Sequence, residues 1–463
     1  MGFPSRVFTP DDTIVAVATP PGRGGLGVVR LSGPQAATIA GALLDRSVPL
    51  QPRHATLARI LDHTAAEPTA VDQVVATAFP QPRSYTGDDV VEISAHGSPV
   101  LLDRIVALAC GAGARLAEPG EFTLRAYLNG RLDLLQAEAV GDLIDAVTPL
   151  QARVAFDQLE GTATAPIRDL DSQLFDLIAR LEASLDFPEE GYHFVGAGEV
   201  AEAVGVIRRQ IDVLLNGAAR GRLIREGCQV VIVGKPNVGK SSLFNSLLGV
   251  SRAIVTPMAG TTRDLVTDVT DLNGLAVTLI DSAGIRSAGE AVEVEGVSRA
   301  RQALGVAAAA VVVVDRSQPL DHEDWAVLEE TAPLQRLVAV NKVDEPASWA
   351  RGSLVLEGEP AVVEVSARTG EGLDQLRAGL CDVLTGGEPL RDTPAVANSR
   401  HIELLERGGE ALRAAEEAAA TGASEEFVLA DLQRACAAFD ELTGKRTPDD
   451  VLMHIFERFC IGK

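Results

Sequence analysis

One octapeptide, Gly234-Lys235-Pro236-Asn237-Val238-Gly239-Lys240-Ser241, constrains what this chain can fold into more than any other stretch. Its pattern is G-x-x-x-x-G-K-S. It follows an apolar run at 229–233 and precedes apolar residues at helical spacing, Leu243, Phe244, Leu247 and Leu248. Strand, glycine loop and helix in that order make a phosphate cradle: glycines let backbone N–H groups converge on phosphate oxygens, and the helix N-terminus favours the anion. Lys240 is placed to reach the β- and γ-phosphates, and Ser241 to offer a hydroxyl to Mg²⁺. The surrounding chain therefore reads as a nucleotide-binding α/β domain, whose run 311–314 forms a central parallel strand buried on both faces.

The base is specified further along. Asn341-Lys342-Val343-Asp344 follows the strand-like run 337–340. A carboxylate at Asp344 accepts from the guanine ring N–H and exocyclic amine, a donor pair that adenine lacks. Ser366-Ala367-Arg368 supplies a second loop whose backbone N–H meets the guanine oxygen. Downstream of a phosphate loop, this order points to GTP. Gly260-Thr261-Thr262-Arg263-Asp264 reads as a first switch with Thr262 on Mg²⁺. Asp281-Ser282-Ala283-Gly284 reads as a second, with Asp281 holding the metal through water and the Gly284 N–H sensing the γ-phosphate. The nucleotide contacts expected are Asn237, Val238, Gly239, Lys240, Ser241 and Ser242. Thr256, Pro257, Met258, Ala259, Gly260, Thr261 and Thr262 join them from the first switch, and Asp281, Ser282, Ala283 and Gly284 from the second. Asn341, Lys342, Asp344, Ser366, Ala367 and Arg368 surround the base. Ile285 stands where many GTPases carry a water-orienting glutamine, so water activation must come from elsewhere.

The 463 residues suffice for three domains. No apolar run approaches a membrane span. Residues 1–12 lack the basic and apolar regions of a signal peptide, and Arg6 sits where a myristoylation start needs Ser or Thr. Cys110, Cys228, Cys381, Cys436 and Cys460 are scattered without a C-x-x-C pair, which reads as reduced thiols and a cytoplasmic protein. Cys460 is expected to be a buried structural thiol. The net charge of −24 argues against a basic nucleic-acid footprint over the whole surface, but leaves room for RNA work with a partner or a local patch.

Short β-type runs fill roughly the first 125 residues, at 13–18, 27–31 and 89–94. Beyond residue 134 the spacing turns helical: Ile167, Leu170, Leu174, Leu177, Leu181 and Leu185 share one face, as do Val204, Ile207, Ile211 and Leu214. Ile402, Leu405 and Leu412 resume it after the nucleotide domain. Thr447-Pro448-Asp449-Asp450 predicts a helix start with Thr as cap and Pro at the first position. The acidic, Ala-rich stretch 410–426 predicts a solvated helical face, and 216–227 and 385–394 predict the joints of an inserted GTPase module. Gly22-Arg23-Gly24-Gly25-Leu26-Gly27 satisfies G-x-G-x-x-G, but a strand rather than a helix follows it, which excludes a dinucleotide site.

Three stretches resemble the MnmE/TrmE tRNA modification GTPases. They are Thr13-Ile14-Val15-Ala16 with Thr19-Pro20-Pro21-Gly22-Arg23-Gly24-Gly25, the segment Gly120-Glu121-Phe122-Thr123-Leu124-Arg125-Ala126-Tyr127-Leu128-Asn129-Gly130-Arg131-Leu132-Asp133, and the terminal Cys460-Ile461-Gly462-Lys463. The resemblance implies an α/β plus α protein. An N-terminal α+β folate-binding-like and dimerisation domain would span 1–125, a discontinuous helical domain 126–222 and 385–463, and an inserted Ras-like P-loop GTPase domain 223–384. It implies a homodimer that joins a flavin-dependent partner in a heterotetramer. Together they would place an aminomethyl or carboxymethylaminomethyl group on position five of the wobble uridine of certain tRNAs. The one-carbon unit would come from 5-formyl- or 5,10-methylene-tetrahydrofolate, held by Arg30, Glu92, Arg131 and Lys463. Arg131 stands where the family often has lysine.

The resemblance also answers the missing glutamine: a K⁺ ion on Asn237, Thr256, Met258 and Thr261 would supply positive charge, with Glu293 positioning water beside Lys240 as the catalytic pair. The competing reading is a GTP-switched RNA-binding ribosome-assembly factor. A third makes GTP only a regulator of dimer shape for a folate enzyme.

Overall fold

The computed structural model describes residues 12–64, 67–186, 197–250, 266–281, 307–388, 390 and 396–463. Those residues divide into two units. One is built from the chain up to Gly141 with Leu159–Asp171 and Cys436–Lys463, the other from Asp142–Gln158 and Ser172–Ala435.

The first unit contains a six-stranded sheet of order β3-β4-β5-β2-β1-β6. Its strands are β1 (Ile14–Val17), β2 (Gly27–Ser32), β3 (Thr56–Asp62), β4 (Thr69–Phe79), β5 (Val90–Ala95) and β6 (Arg115–Leu116). All neighbours are antiparallel except β1 and β6. Alternation along β2 buries Val29 and Leu31 against the helices Ala36–Leu43 and Pro99–Gly111, whose Ile39, Ala40, Ile105 and Ala109 share that core. A period of two then sends Arg30 to the opposite face. Gly22–Gly27 runs into β2, as the sequence requires, and Gly24 N–H donates to the Gly97 carbonyl at 2.9 Å.

The chain end is stitched into this unit. Pro119 bridges Ile461, and Phe122 N–H donates to the Lys463 carbonyl at 3.2 Å. Gly462 adopts φ +101°, and a Cβ there would run into the Val17 carbonyl. Phe456 packs with Leu124, Leu134 and Ala137. Its helix, Asp449–Phe456, begins one residue later than the sequence suggests. Pro448 itself is the cap residue, with no side-chain cap hydrogen bond, and the Thr447 hydroxyl, one residue further out, donates to the Glu441 carbonyl at 3.1 Å.

The second unit contains a sheet of order β12-β11-β10-β7-β9-β8. These strands are β7 (Cys228–Val233), β8 (Val266–Leu272), β9 (Leu275–Asp281), β10 (Ala309–Asp315), β11 (Arg336–Asn341) and β12 (Ala361–Glu364). Only the β8–β9 pair is antiparallel. β10 is buried at all seven positions, the two-sided burial that its unbroken apolar run demands. After β7 the chain passes to one side of the sheet and returns to the other, so the loop after β7 opens at the point where strand order reverses.

Helical spacing is borne out in Thr164–Asp186, where Ile167, Leu170, Leu174, Leu177 and Leu181 are buried, and in Ala197–Leu215, where Val204, Ile207, Ile211 and Leu214 are. Ala197–Leu215 lies along Ser399–Ala420, with Arg208 Nε donating to Glu416 Oε2 at 2.9 Å. The stretch 410–426 is thus not one solvated face. Ala411, Leu412, Ala415 and Ala419 are buried, Glu416 is ion-paired, and a turn separates it from the next helix, Glu425–Thr443. The expected joint 216–227 is mostly the helix Ala218–Glu226, because Ala218, Gly221 and Ile224 give it a buried face. Among the described residues no helix is long and apolar enough to cross a membrane.

Candidate functional site

The phosphate loop occupies 234–239, and Lys240 opens the helix Lys240–Val250. Asn237 holds φ +63°, a left-handed conformation that asparagine tolerates better than most residues. Gly239 holds φ +99°, and a Cβ there would collide with Asn341 Nδ2. Lys240 is 6% exposed, and its ammonium donates to the Gly234 and Lys235 carbonyls at 2.9 and 2.8 Å. The lysine is thereby held inside the loop's own curve, next to the space a phosphate would fill. Ser241 and Ser242 are exposed at the first turn of the helix, where an anion is favoured.

Three sheet positions bring the remaining described residues to this loop. Asp281, 3% exposed, ends β9 and lies in register with Ile232, one residue before the β7 terminus. Asn341 ends β11 and latches two loops: its Nδ2 donates to the Val238 carbonyl at 2.8 Å, and its Oδ1 accepts from Ala367 N–H at 3.1 Å. Lys342 takes φ +65°, and its ammonium donates to Asp315 Oδ2 at 2.6 Å. Burial opposes ionisation of Asp315, but Lys342 and the Ser317 hydroxyl outweigh it and hold the carboxyl below its ordinary value.

The carboxylate expected to read the base, Asp344, lies against the 366–368 loop. Asp344 Oδ1 accepts from Ser366 Oγ at 2.5 Å, and Arg368 pairs with Oδ2 at 2.5 Å. The Ser366 hydrogen bond, followed by Arg368, keeps Asp344 below the usual carboxylate range. Both Asp344 oxygens thus face donors, Ser366 on one and Arg368 on the other. Thr256, Pro257, Met258, Ala259, Gly260, Thr261, Thr262, Ser282, Ala283, Gly284 and Glu293 lie outside the described residues.

A second constellation sits on the face of the first unit's sheet opposite the helices Ala36–Leu43 and Pro99–Gly111. Arg30 and Glu92 are cross-strand partners in β2 and β5, and Arg30 Nε donates to Glu92 Oε1 at 3.0 Å. The guanidinium lies over the Tyr85 and Phe122 rings, at 5.1 and 5.7 Å, and donates to the Gly462 carbonyl at 3.3 Å. Burial, with Arg30 adding to it, holds the Lys463 ammonium below the ordinary lysine value, while Glu92 works against them. Arg30, Glu92 and Lys463 are therefore brought together. Arg131 is not among them: it is exposed, its stem faces Gly87, and it makes no hydrogen bond to the trio. Cys460 is exposed rather than buried, because the chain end runs along the surface of this unit.

Sequence reasoning missed the aromatic floor under Arg30, whose rings belong to distant segments, and the acidic partner of Lys342. It also missed the side chain of Lys235, which donates to Asp321 Oδ2 at 2.9 Å and Asp324 Oδ2 at 2.6 Å. The D-x-x-D spacing at 321–324 was the available signal, since it marks a capped helix start.

Comparison with known proteins extends over the whole chain. Residues 13–131 match the family described as "GTP-binding protein TrmE N-terminus", and residues 134–460 match "MnmE helical domain". The "tRNA modification GTPase MnmE" of Koribacter versatilis is 43% identical over 457 residues, covering 98% of this chain and 99% of that protein. The protein of the same description from Chloroflexus aurantiacus is 43% identical, covering 98% of this chain and 100% of its own length. Among solved structures, Aquifex aeolicus Era bound to GDP.AlF4- is 29% identical, covering 40% of this chain and 66% of that one at a TM-score of 0.28.

Proposed function

The chain belongs to the MnmE family of tRNA modification GTPases, and on that footing we propose how its two constellations divide the work. It is a GTP hydrolase that acts in tRNA modification. GTP binds with its phosphates on 234–240 and its guanine between Asp344 and the Ser366–Arg368 loop. The observation that carries this is the Asn341 latch, which joins the phosphate loop to the base loop through one side chain.

On nucleotide binding Lys240 exchanges the Gly234 and Lys235 carbonyls for β- and γ-phosphate oxygens. Its positive charge then faces the transferring phosphoryl group. Ser241, with Thr262, would hold Mg²⁺, which would neutralise phosphate charge. Asn237, with Thr256, Met258 and Thr261, holds K⁺, and Glu293 positions the attacking water in place of the absent glutamine. The exposed, left-handed Asn237 suits an ion ligand contributed by the loop.

Arg30, Glu92 and Lys463 hold the tetrahydrofolate. Glu92 suits the amidine-like N–H groups of a pterin, and two half-buried cations suit an anionic ligand. Arg131, set apart from the trio, is at most a peripheral contact. The folate supplies the one-carbon unit. The protein acts as a homodimer in the cytoplasm with a flavin-dependent partner, and their product is the wobble uridine carrying an aminomethyl or carboxymethylaminomethyl group at position five. The names carried by full-length relatives favour this reading over the ribosome-assembly one.

Two measurements test it. GTP turnover by the purified chain is expected to be faster in potassium than in sodium, and Glu293→Ala to slow hydrolysis while sparing GTP binding. Equal turnover in the two salts removes the potassium role. Mass spectrometry of tRNA from cells lacking the protein should find the position-five modification absent, and its persistence would refute the tRNA assignment.

A further inference from the structure

We propose that Lys235 is a positioning residue for phosphate binding, clamping the first turn of the phosphate loop to the helix His322–Glu330. The inference rests on the reading of 234–240 as a nucleotide loop and adds to it a side chain that touches neither nucleotide nor metal.

Lys235 is a variable position of the G-x-x-x-x-G-K-S pattern, and lysine is almost never buried unless its charge is paired. Here its side chain is only 9% exposed and ends between two carboxylates, at 2.6 Å from Asp324 and 2.9 Å from Asp321. Asp324 is 2% exposed, so the pair is largely removed from water. The acids are themselves fixed. Asp321 Oδ1 accepts the Glu323 and Asp324 N–H groups at 3.0 and 3.2 Å, and Asp324 Oδ2 accepts the Asp321 N–H at 3.1 Å, a reciprocal cap of the helix start. Burial opposes the Lys235 charge, but the hydrogen bonds to Asp324 and Asp321 outweigh it and hold the ammonium above the ordinary lysine value.

The same residue reaches the chemistry through its backbone. Before nucleotide binds, the Lys235 carbonyl accepts from Lys240 Nζ at 2.8 Å, so the carbonyl that Lys240 releases to reach the phosphates belongs to the residue pinned to the helix. A buried pair of this kind contributes little net stability, since desolvation cancels much of the attraction, but removing one partner leaves the other unpaired. Asp324 is poised for that penalty: its Oδ1 is already buried with no hydrogen-bond partner among the described residues. The helix follows β10, whose Asp315 holds Lys342 of the base loop, so the clamp and the base loop are supported by different side chains.

The clamp separates phosphate affinity from base affinity, and this is what the test reads. Full-length wild type, Lys235→Met, Lys235→Arg, Asp324→Asn and the Lys235→Met/Asp324→Asn double variant are titrated with GDP and, by competition, with guanosine. Lys235→Met is expected to weaken GDP by about tenfold or more while guanosine changes less than about twofold. Lys235→Arg, which keeps the charge and donors, should stay within about threefold of wild type for GDP. The double variant should bind GDP no more weakly than Lys235→Met alone, because both substitutions break one interaction.

Unchanged GDP affinity in Lys235→Met overturns the proposal. So do additive losses in the double variant, and a parallel loss of GDP and guanosine, which marks general damage to the domain. If Lys235→Met does not fold, Lys235→Arg and Asp324→Asn decide: GDP weakening in Asp324→Asn with guanosine spared supports the clamp, and its absence overturns it. Wild-type protein that takes up no GDP removes the nucleotide reading itself, and the clamp with it.

Discussion

The latch at Asn341 allows a quantitative prediction. Asn341 is 2% exposed, and its amide satisfies two backbone groups at once, the carbonyl of Val238 and the N–H of Ala367. Asn341→Ala removes both partners and leaves a small cavity beneath the loops. Val238 is fully buried, so its carbonyl loses this donor with no ready access to water, at about 1–3 kcal/mol. Ala367 is half-buried and its N–H can recover a water, which places it near the lower end, about 1 kcal/mol. Together the loss is about 2–4 kcal/mol. The two loops are not otherwise consecutive, so free variant protein releases them, and a nucleotide that needs both must reorder them. If the whole loss falls on binding, GDP affinity drops about 30- to 700-fold at about 1.4 kcal/mol per decade. Equilibrium titration with a fluorescent GDP analogue measures this, and circular dichroism confirms that the variant is folded. A folded variant whose GDP affinity lies within about threefold of wild type would refute the reasoning, because the latch would then carry no coupling between the loops.

Other outcomes follow from the same geometry. Asp344→Asn exchanges an acceptor for a donor against the guanine edge, so turnover should shift from guanosine to xanthosine triphosphate; unchanged preference would show that Asp344 does not face the base. Gly462→Ala places a Cβ against the Val17 carbonyl and should free the chain end, weakening 5-formyl-tetrahydrofolate binding while GTP binding is kept; equal loss of both would point to misfolding. Lys463 has its folded value lowered by burial and Arg30, so between that value and the ordinary 10.5 the unfolded chain binds more protons. Stability from this group therefore rises with pH across that window, and Lys463→Met should flatten the rise in a pH series of thermal midpoints.

The sequence by itself determined the elements that carry their own local physics. The all-apolar run of β10 had to be buried on both faces, the glycine pattern after β7 had to open a phosphate cradle, and the leucine spacing at 167–181 had to make one helical face. That Asn341, Lys342, Asp344 and Ser366 lie close together was legible because their motifs fall on loops at strand ends, in order along the chain. Arg131 was grouped with a trio that it does not touch, Cys460 was expected to be buried, and Thr447 was expected to cap, because position along a motif does not say where a side chain points.

Tertiary structure alone decided the pairings between distant segments. It set Arg30 against Glu92 by strand register, laid both beside the terminal Gly462 and Lys463, and turned Lys235 inward onto Asp321 and Asp324. Such contacts are fixed by how sheets and helices stack, and nothing in local propensity encodes a partner 62 or 432 residues away.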